Sequence, residues 1–385
     1  METFCAIFDL FQLLIYFLAM FDDWYSINNI NEIDSPALVI YKNRVEQNIN
    51  MAISMVGDVA NLRPHVKTHK SPDVTRMMLA AGITKFKCAT IAEAEMLAQC
   101  GAPNVLLAYQ PTGPKIKRLL LLIDQYPATR FACLIDSVDA AQAIAADADT
   151  NGLTVDVFLD VNVGMNRTGV LPENVRQLMD TCRSLKCIKV VGLHGYDGHI
   201  NDIDVATRKQ RADEAFGALE VLRQTDGNKD LRIVFGGSPT FPIHAARKDV
   251  ECSPGTFVFW DQNYSTLFPD QPYVPAALVI SRVVSVVNER RFCLDLGHKS
   301  IAAENPLDRR VHFLNAEGIT PVAQSEEHVV VETAAPHHYK VGDVLYGMPF
   351  HVCPTVALYD SVFVVVDGNM TGTWKIEARD RKLLI

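Results

Sequence analysis

The residues best able to do chemistry gather in "LRPHVKTHK", residues 62–70. Read as a β-strand, this stretch places Arg63, His65, Lys67 and His69 on one face and Leu62, Pro64, Val66 and Thr68 on the other. A buried parallel strand should be apolar on both faces, so four nitrogen bases on one side need a reason. A lysine held among cations and away from water has a depressed pKa and becomes nucleophilic. Parity selects Lys67, which shares the face of His65; Lys70 falls on the opposite face, past the strand end.

A second group lies far along the chain. In "LRIVFGGSPTFPIHAAR", Gly236, Gly237 and Ser238 end a strand and the following residues can begin a helix. Free backbone N–H groups and a hydroxyl then converge where a phosphate binds. A phosphate site together with a lysine able to form a Schiff base with an aldehyde points to pyridoxal 5'-phosphate. In "PFHVCPT", His351 and Cys353 stand two residues apart. On a strand they would lie side by side on one face, suited to Zn²⁺ in an open catalytic site that water or substrate completes.

The elements that must position these groups follow from periodicity. From about residue 58 to 261, β-rich runs alternate with helical ones: "ANLRPHVKTH", "KFKCATI", "NVLLAYQP", "RFACLID", "VDVFLDVNVG", "KVVGLHGYDGH", "LRIVFGGS" and "VECSPGTFVFW". Eight such repeats predict a (β/α)8 TIM-type barrel, whose reactive groups sit at the C-terminal ends of the strands. After about residue 275 the runs "AALVISRVVSVV", "RRFCLDLG", "HVVVET", "DVLYGMP" and "SVFVVVDG" predict a separate all-β domain. The division expected is an apolar extension over 1–20, a lead-in strand over 21–45 that joins the β domain, a cofactor-binding barrel over 46–270 and the β domain with the metal site over 271–385.

Composition bounds the partners. The 385 residues carry a net charge of −9, which argues against nucleic acid, since phosphate binding needs clustered Lys and Arg. Nine scattered cysteines with no C-x-x-C pair read as reduced thiols of a cytoplasmic protein. The apolar first twenty residues lack the positive n-region of a signal peptide, and Asp9 and Gln12 interrupt them. The expectation is a translated upstream stretch before Met20 and no membrane anchor.

From about Glu32 to Arg379 an ordered series of motifs appears: "DSPALVIY", "RPHVKTHK", "ATIAEAE", "DVNVGMNRTG", "GYDGHI", "GGSPT", "SPGTFVFWD", "SEEH" and "HVCPT". In this series the chain resembles the D-threonine aldolase and D-serine dehydratase family, alanine-racemase-like enzymes of pyridoxal-phosphate fold type III. The resemblance implies that Lys67 carries the cofactor, with His65 and Thr90 beside it. It implies that Gly236, Gly237 and Ser238, with Gly255 and Thr256, cradle the phosphate, and that Arg167 and Tyr196 lie near the ring. It makes His351 and Cys353 the ligands of a divalent metal, Zn²⁺ ahead of Mn²⁺ or Mg²⁺.

Two departures matter. The aldolases of the family show His-x-Asp where this chain has His-x-Cys, the pattern of the zinc-dependent dehydratases. A histidine implicated as a base in the aldolases aligns with Asp202, which leaves His199 and Asp202 as the candidate bases. The implied activity is a lyase of D-β-hydroxy amino acids, D-threonine-aldolase-like, giving glycine and an aldehyde. The alternative, favoured by His-x-Cys, is β-elimination to a keto acid and ammonia. A racemase would need a second acid–base group such as Tyr346 or Tyr359, neither of which sits in a racemase-like motif, and a non-catalytic carrier would lack the β domain. A small D-amino-acid substrate and a homodimer are implied as well.

Overall fold

The structure, a computed structural model, describes residues 24–225 and 227–385. The apolar extension therefore lies outside the described residues. Among those described, no helix is long and apolar enough to cross a membrane.

Strand β1 (Ala37–Tyr41) is buried throughout and leads into helix α1 (Lys42–Val56). After α2 (Pro72–Ala80), seven parallel strands pair in chain order. They are β2 (Lys85–Cys88), β3 (Asn104–Leu107), β4 (Arg130–Ile135), β5 (Val155–Val161), β6 (Ile188–Gly195), β7 (Arg232–Phe235) and β8 (Val250–Cys252). Between them lie α3 (Ile91–Gln99), α4 (Pro114–Gln125), α5 (Val138–Thr150), α6 (Val175–Ser184), α7 (Val205–Gln224) and the short α8 (Phe241–Ala245). The helix starts follow local chemistry. Thr90, Ser137 and Asp204 each accept a hydrogen bond from the N–H three residues on, and prolines open α2 and α4.

The first of the eight expected strands is reduced to two isolated bridges. Leu62 pairs with Cys252 on β8, and His65 pairs with Lys87 on β2. Arg63 N donates to Cys252 O and Val66 N to Lys87 O, so residues 62–66 still span the gap between the last strand and the first. Pro64 has no N–H to give to a ladder. From Val66 the chain turns, and Lys70 has a positive φ of 50°. The two-face reading of the stretch therefore ends at Val66 and does not reach Lys67 or His69.

Arg63 and His69 do not join Lys67 in a cationic cluster. Arg63 is fully buried near the N-terminal ends of the strands, where Nε donates to Glu251 Oε2 at 2.7 Å and Nη1 to Asn104 Oδ1 at 2.8 Å. Lys85 holds the other oxygen of Glu251 at 2.6 Å. His69 is buried under the start of α2, its Nδ1 accepting from Ser71 N at 3.1 Å, and burial pushes its imidazole down to about 3. Burial also drives His65 well below its ordinary value, with the neighbouring lysines adding to the shift. Both rings are therefore neutral near pH 7.

The C-terminal unit is built on β9 (Ala277–Asn288), with β10 (Arg291–Leu294), β11 (Val311–Phe313), β12 (Ile319–Gln324), β13 (Val329–Thr333), β14 (Val344–Pro349), β15 (Ser361–Val366) and β16 (Asn369–Lys375). β1 lies inside this sheet, antiparallel to β9 and parallel to β15. Helix α9 (Gln262–Leu267) follows the barrel, and α10 (Val352–Val356) lies between β14 and β15. The chain end is clasped to the barrel: Glu95 on α3 accepts from Leu384 N and Ile385 N, and Arg118 on α4 donates to Ile385 O at 2.9 Å.

Candidate active site

Three cations surround one aromatic ring at the C-terminal end of the barrel. Tyr196, just after β6, has Lys67 Nζ 5.8 Å, Lys87 Nζ 5.5 Å and Arg167 Cζ 5.3 Å from its ring centre. Lys67 stands on the turn after His65, whose Nδ1 accepts from Lys67 N at 3.3 Å. Lys70 is occupied elsewhere, ion-paired with the buried Glu93, whose second oxygen accepts from Ala89 N at 2.6 Å. Thr90 caps the same helix through Glu93 N at 3.0 Å.

The glycines of the expected phosphate cradle are required by close approach. A Cβ on Gly237 would lie 3.0 Å from the Tyr196 ring, and one on Gly255 would lie 2.9 Å from His65 O. Gly236 has φ of +82°, and a Cβ there would stand 2.8 Å from His244. Ser238 Oγ accepts from Gly255 N at 3.2 Å and Thr256 N at 3.1 Å, so both segments meet at one point. The helix expected after this loop is only the five residues of α8. The loop is braced from behind by Asp197, which is fully buried and accepts from Thr240 Oγ1 at 2.9 Å. Its other oxygen lies 2.8 Å from His244 Nε2. Sequence reasoning missed this brace, although Asp197 sits inside the quoted "GYDGH". A lysine, a polar glycine-lined cradle and an aromatic platform fit a cofactor with an aldehyde, a phosphate and a flat ring.

Lys87 was also missed. It is 2% exposed on β2, with Nζ 2.5 Å from Ser253 Oγ and 3.4 Å from His194 Nε2. His194 Nδ1 is 2.6 Å from Asp160 Oδ1. In "KFKC", lysine alternates with an apolar residue, the pattern of a strand with one face in water, which hid its burial.

The candidate metal donors reach the same rim from the other unit. His351 and Cys353 are not on a strand, as their spacing suggested: His351 precedes α10 and Cys353 lies in its first turn. Cys353 Sγ lies 3.2 Å from Thr68 Oγ1 and 3.7 Å from Thr256 Oγ1, beside Lys67 and the cradle. Asp261 fixes this approach, capping α9 through Tyr264 N at 3.0 Å and accepting from Val352 N at 3.1 Å. Burial raises the Cys353 thiol, but its hydrogen bond with His351 and that residue's charge bring it below the ordinary value. His351 Nδ1 is held by Glu304 Oε1 at 2.5 Å, the carboxylate–histidine pairing that orients metal-binding imidazoles. Among the described residues no group of three His, Cys, Asp or Glu side chains gathers for a metal. The pair alone would leave the remaining coordination positions of a metal to water or substrate.

The two candidate bases are placed differently. Asp202 has both carboxylate oxygens bound by Arg211 Nη1, at 2.9 and 2.7 Å. His199 packs against Gly164 and lines a cavity of about 340 Å³ with Asn162, Arg211 and Glu214. Its Nδ1 is buried without a hydrogen-bond partner.

Residues 40–262 match the family described as the alanine racemase N-terminal domain, and residues 276–365 match a serine dehydratase domain. The chain is 29% identical to the D-threonine aldolase of an Arthrobacter species, over 90% of this chain and 93% of that protein. It is 24% identical to the D-threo-3-hydroxyaspartate dehydratase of Delftia sp. strain HT23, over 89% and 97% respectively. The crystal structure of D-threonine aldolase from Filomicrobium marinum has the same fold, with a TM-score of 0.80 at 24% identity, covering 90% of this chain and 96% of that one.

Proposed function

Because this chain belongs to the alanine racemase N-terminal domain family and is a pyridoxal-phosphate-dependent lyase, we propose that it removes water from D-β-hydroxy amino acids. Hydrolysis of the released imino acid would return one water and give a 2-keto acid and ammonia. The observation that carries this reading is the 3.2 Å contact of Cys353 Sγ with Thr68, one residue from Lys67. It supports a role for Cys353 of the His-x-Cys pair beside the lysine, while Asp202, which the family resemblance sets at the position of an aldolase base, is engaged by Arg211.

When bound, the cofactor supplies an electron-withdrawing ring that acidifies the substrate Cα. Lys67 would hold the cofactor aldehyde, the 236–238 and 255–256 segments its phosphate, and Tyr196 with Arg167 would flank its ring. Lys67 Nζ is then the base that takes the Cα proton. His351 and Cys353 would hold a divalent metal that polarises the β-hydroxyl and eases its departure.

Retro-aldol cleavage to glycine and an aldehyde is the second reading. It is favoured by His199, whose buried Nδ1 lacks a partner, and by the 29% identity to a D-threonine aldolase. Racemisation is less well served. Tyr346 OH accepts from Ile27 N at 3.3 Å and Tyr359 OH donates to Ser300 O at 2.7 Å, both within the β domain. Incubation with D-serine, D-threonine and D-threo-3-hydroxyaspartate separates the readings. Keto acid without glycine supports elimination; glycine and aldehyde without keto acid would overturn it.

A further inference from the structure

Barrel interiors are normally filled by branched apolar side chains, and lysine is almost never fully buried unless paired. Lys87 breaks both rules without touching a carboxylate. Its Nζ donates to Ser253 Oγ, which passes the connection on to Gly236 O at 2.9 Å, in the cradle itself. On the other side Lys87 faces His194 Nε2, and His194 Nδ1 bonds Asp160. A carboxylate at Nδ1 makes that nitrogen the donor and leaves Nε2 as an acceptor for an ammonium. The result is a connected chain from Asp160 on β5, through His194 on β6 and Lys87 on β2, to Ser253 and Gly236. A polar network this deep is often no more stabilising than apolar packing of the same volume, and this one ends beneath Tyr196.

We infer that Lys87 is a positioning residue of the cofactor site, which through Ser253 and His194 sets the charge beneath the ring held against Tyr196. The inference rests on the cofactor role proposed for Lys67, Tyr196 and the cradle. The surrounding charges agree with it. Burial first, then Lys67 and Arg63 from the 62–67 segment, bring the Lys87 amine down to about 7. Asp160 and Asp197, from the ends of β5 and β6, act in the opposite sense. The neutral His194 and the Tyr196 ring complete its surroundings. Both forms of the amine are therefore accessible near neutral pH.

The test is a pH titration of the visible absorption of cofactor-loaded protein without substrate, for wild type, Lys67→Ala and Lys87→Met. A wild-type band that Lys67→Ala loses supports the cofactor assignment, and its absence from wild type would overturn that assignment and this inference with it. Given the band, wild type is expected to show a spectral transition near neutral pH that Lys87→Met, still loaded and cooperatively folded, lacks. Superposable titrations of wild type and Lys87→Met would overturn the inference alone. If Lys87→Met fails to fold, Asp160→Asn serves instead. Removing that anion should move the transition to lower pH, and an unmoved transition would overturn the inference.

Discussion

Thr68 Oγ1 and Cys353 Sγ lie 3.2 Å apart, joining the barrel rim to the β domain one residue from Lys67. A side chain from each half of the molecule thus meets at the site. The barrel carries the lysine, platform and cradle proposed to hold the cofactor, and the β domain carries the thiol and imidazole proposed to hold a metal.

Lys67→Ala is expected to abolish the visible band of the cofactor-loaded protein and to lower turnover by about 10²–10⁴-fold, the range for a lost acid–base group. Lys70→Ala should keep the band, because Lys70 is committed to Glu93. Absorption spectra of the two variants decide between the lysines, and a band retained in Lys67→Ala would remove it from its assigned place.

Cys353→Ala should reduce both bound divalent metal, measured by elemental analysis, and the rate of keto-acid formation. Glu304→Gln, which keeps the ligand pair but weakens the hold on His351 Nδ1, should lower metal affinity by about 10–100-fold. Full turnover after exhaustive chelation would show that the pair has no catalytic metal.

His199→Ala separates the two bond cleavages. If elimination with Lys67 as the base is correct, keto-acid formation should change by less than about threefold, under 0.7 kcal/mol of barrier. A protein that instead forms glycine and aldehyde, and loses about 10²-fold or more of that rate in His199→Ala, the scale of a missing general base, would assign the proton transfer to His199 and favour the retro-aldol reading.

Glu251→Gln should cost about 3–5 kcal/mol of stability, because it leaves Arg63 buried without its counter-charge. Burial raises the Glu251 carboxyl, but Arg63 and Lys85 hold it below its ordinary value. Its contribution is present above the unfolded value, about 4.3, and is lost as pH falls through the lower folded value. Urea unfolding should therefore show the largest gap between wild type and variant near neutrality, narrowing below about pH 4. An equal gap at all pH values would mean that the charge of Glu251 is not what matters.

The alternation of short apolar runs with amphipathic ones made the barrel legible, since period 2 and period 3.6 are local signals. β1 was likewise recognisable as a strand belonging with the β domain. Parity pointed to Lys67, yet the chain has already turned there. Lys67 is set apart instead by the Lys70–Glu93 pair, which depends on a helix twenty residues away. Arg63 and His69 looked like partners of Lys67 because strand spacing says nothing of depth along a barrel axis. Lys87 was hidden for the opposite reason: a four-residue strand with two lysines reads as solvated until the six other strands close around it. His351 and Cys353 share a site because a tight turn and a short helix bring their side chains together, not because a strand does.

One feature of the topology orders these events in time. β1 emerges from the ribosome early and finds its parallel partner β15 only when nearly the whole chain has been made. The barrel between them has all its strands well before that, and with them the lysine, the cradle and the platform. α10 directly precedes β15, so Cys353 also reaches the rim beside Thr68 only late in synthesis. Synthesis would thus complete the barrel strands first and deliver Cys353 to the rim last. A fragment cut at residue 271 would leave β9 and β15 with bare edges where β1 belongs.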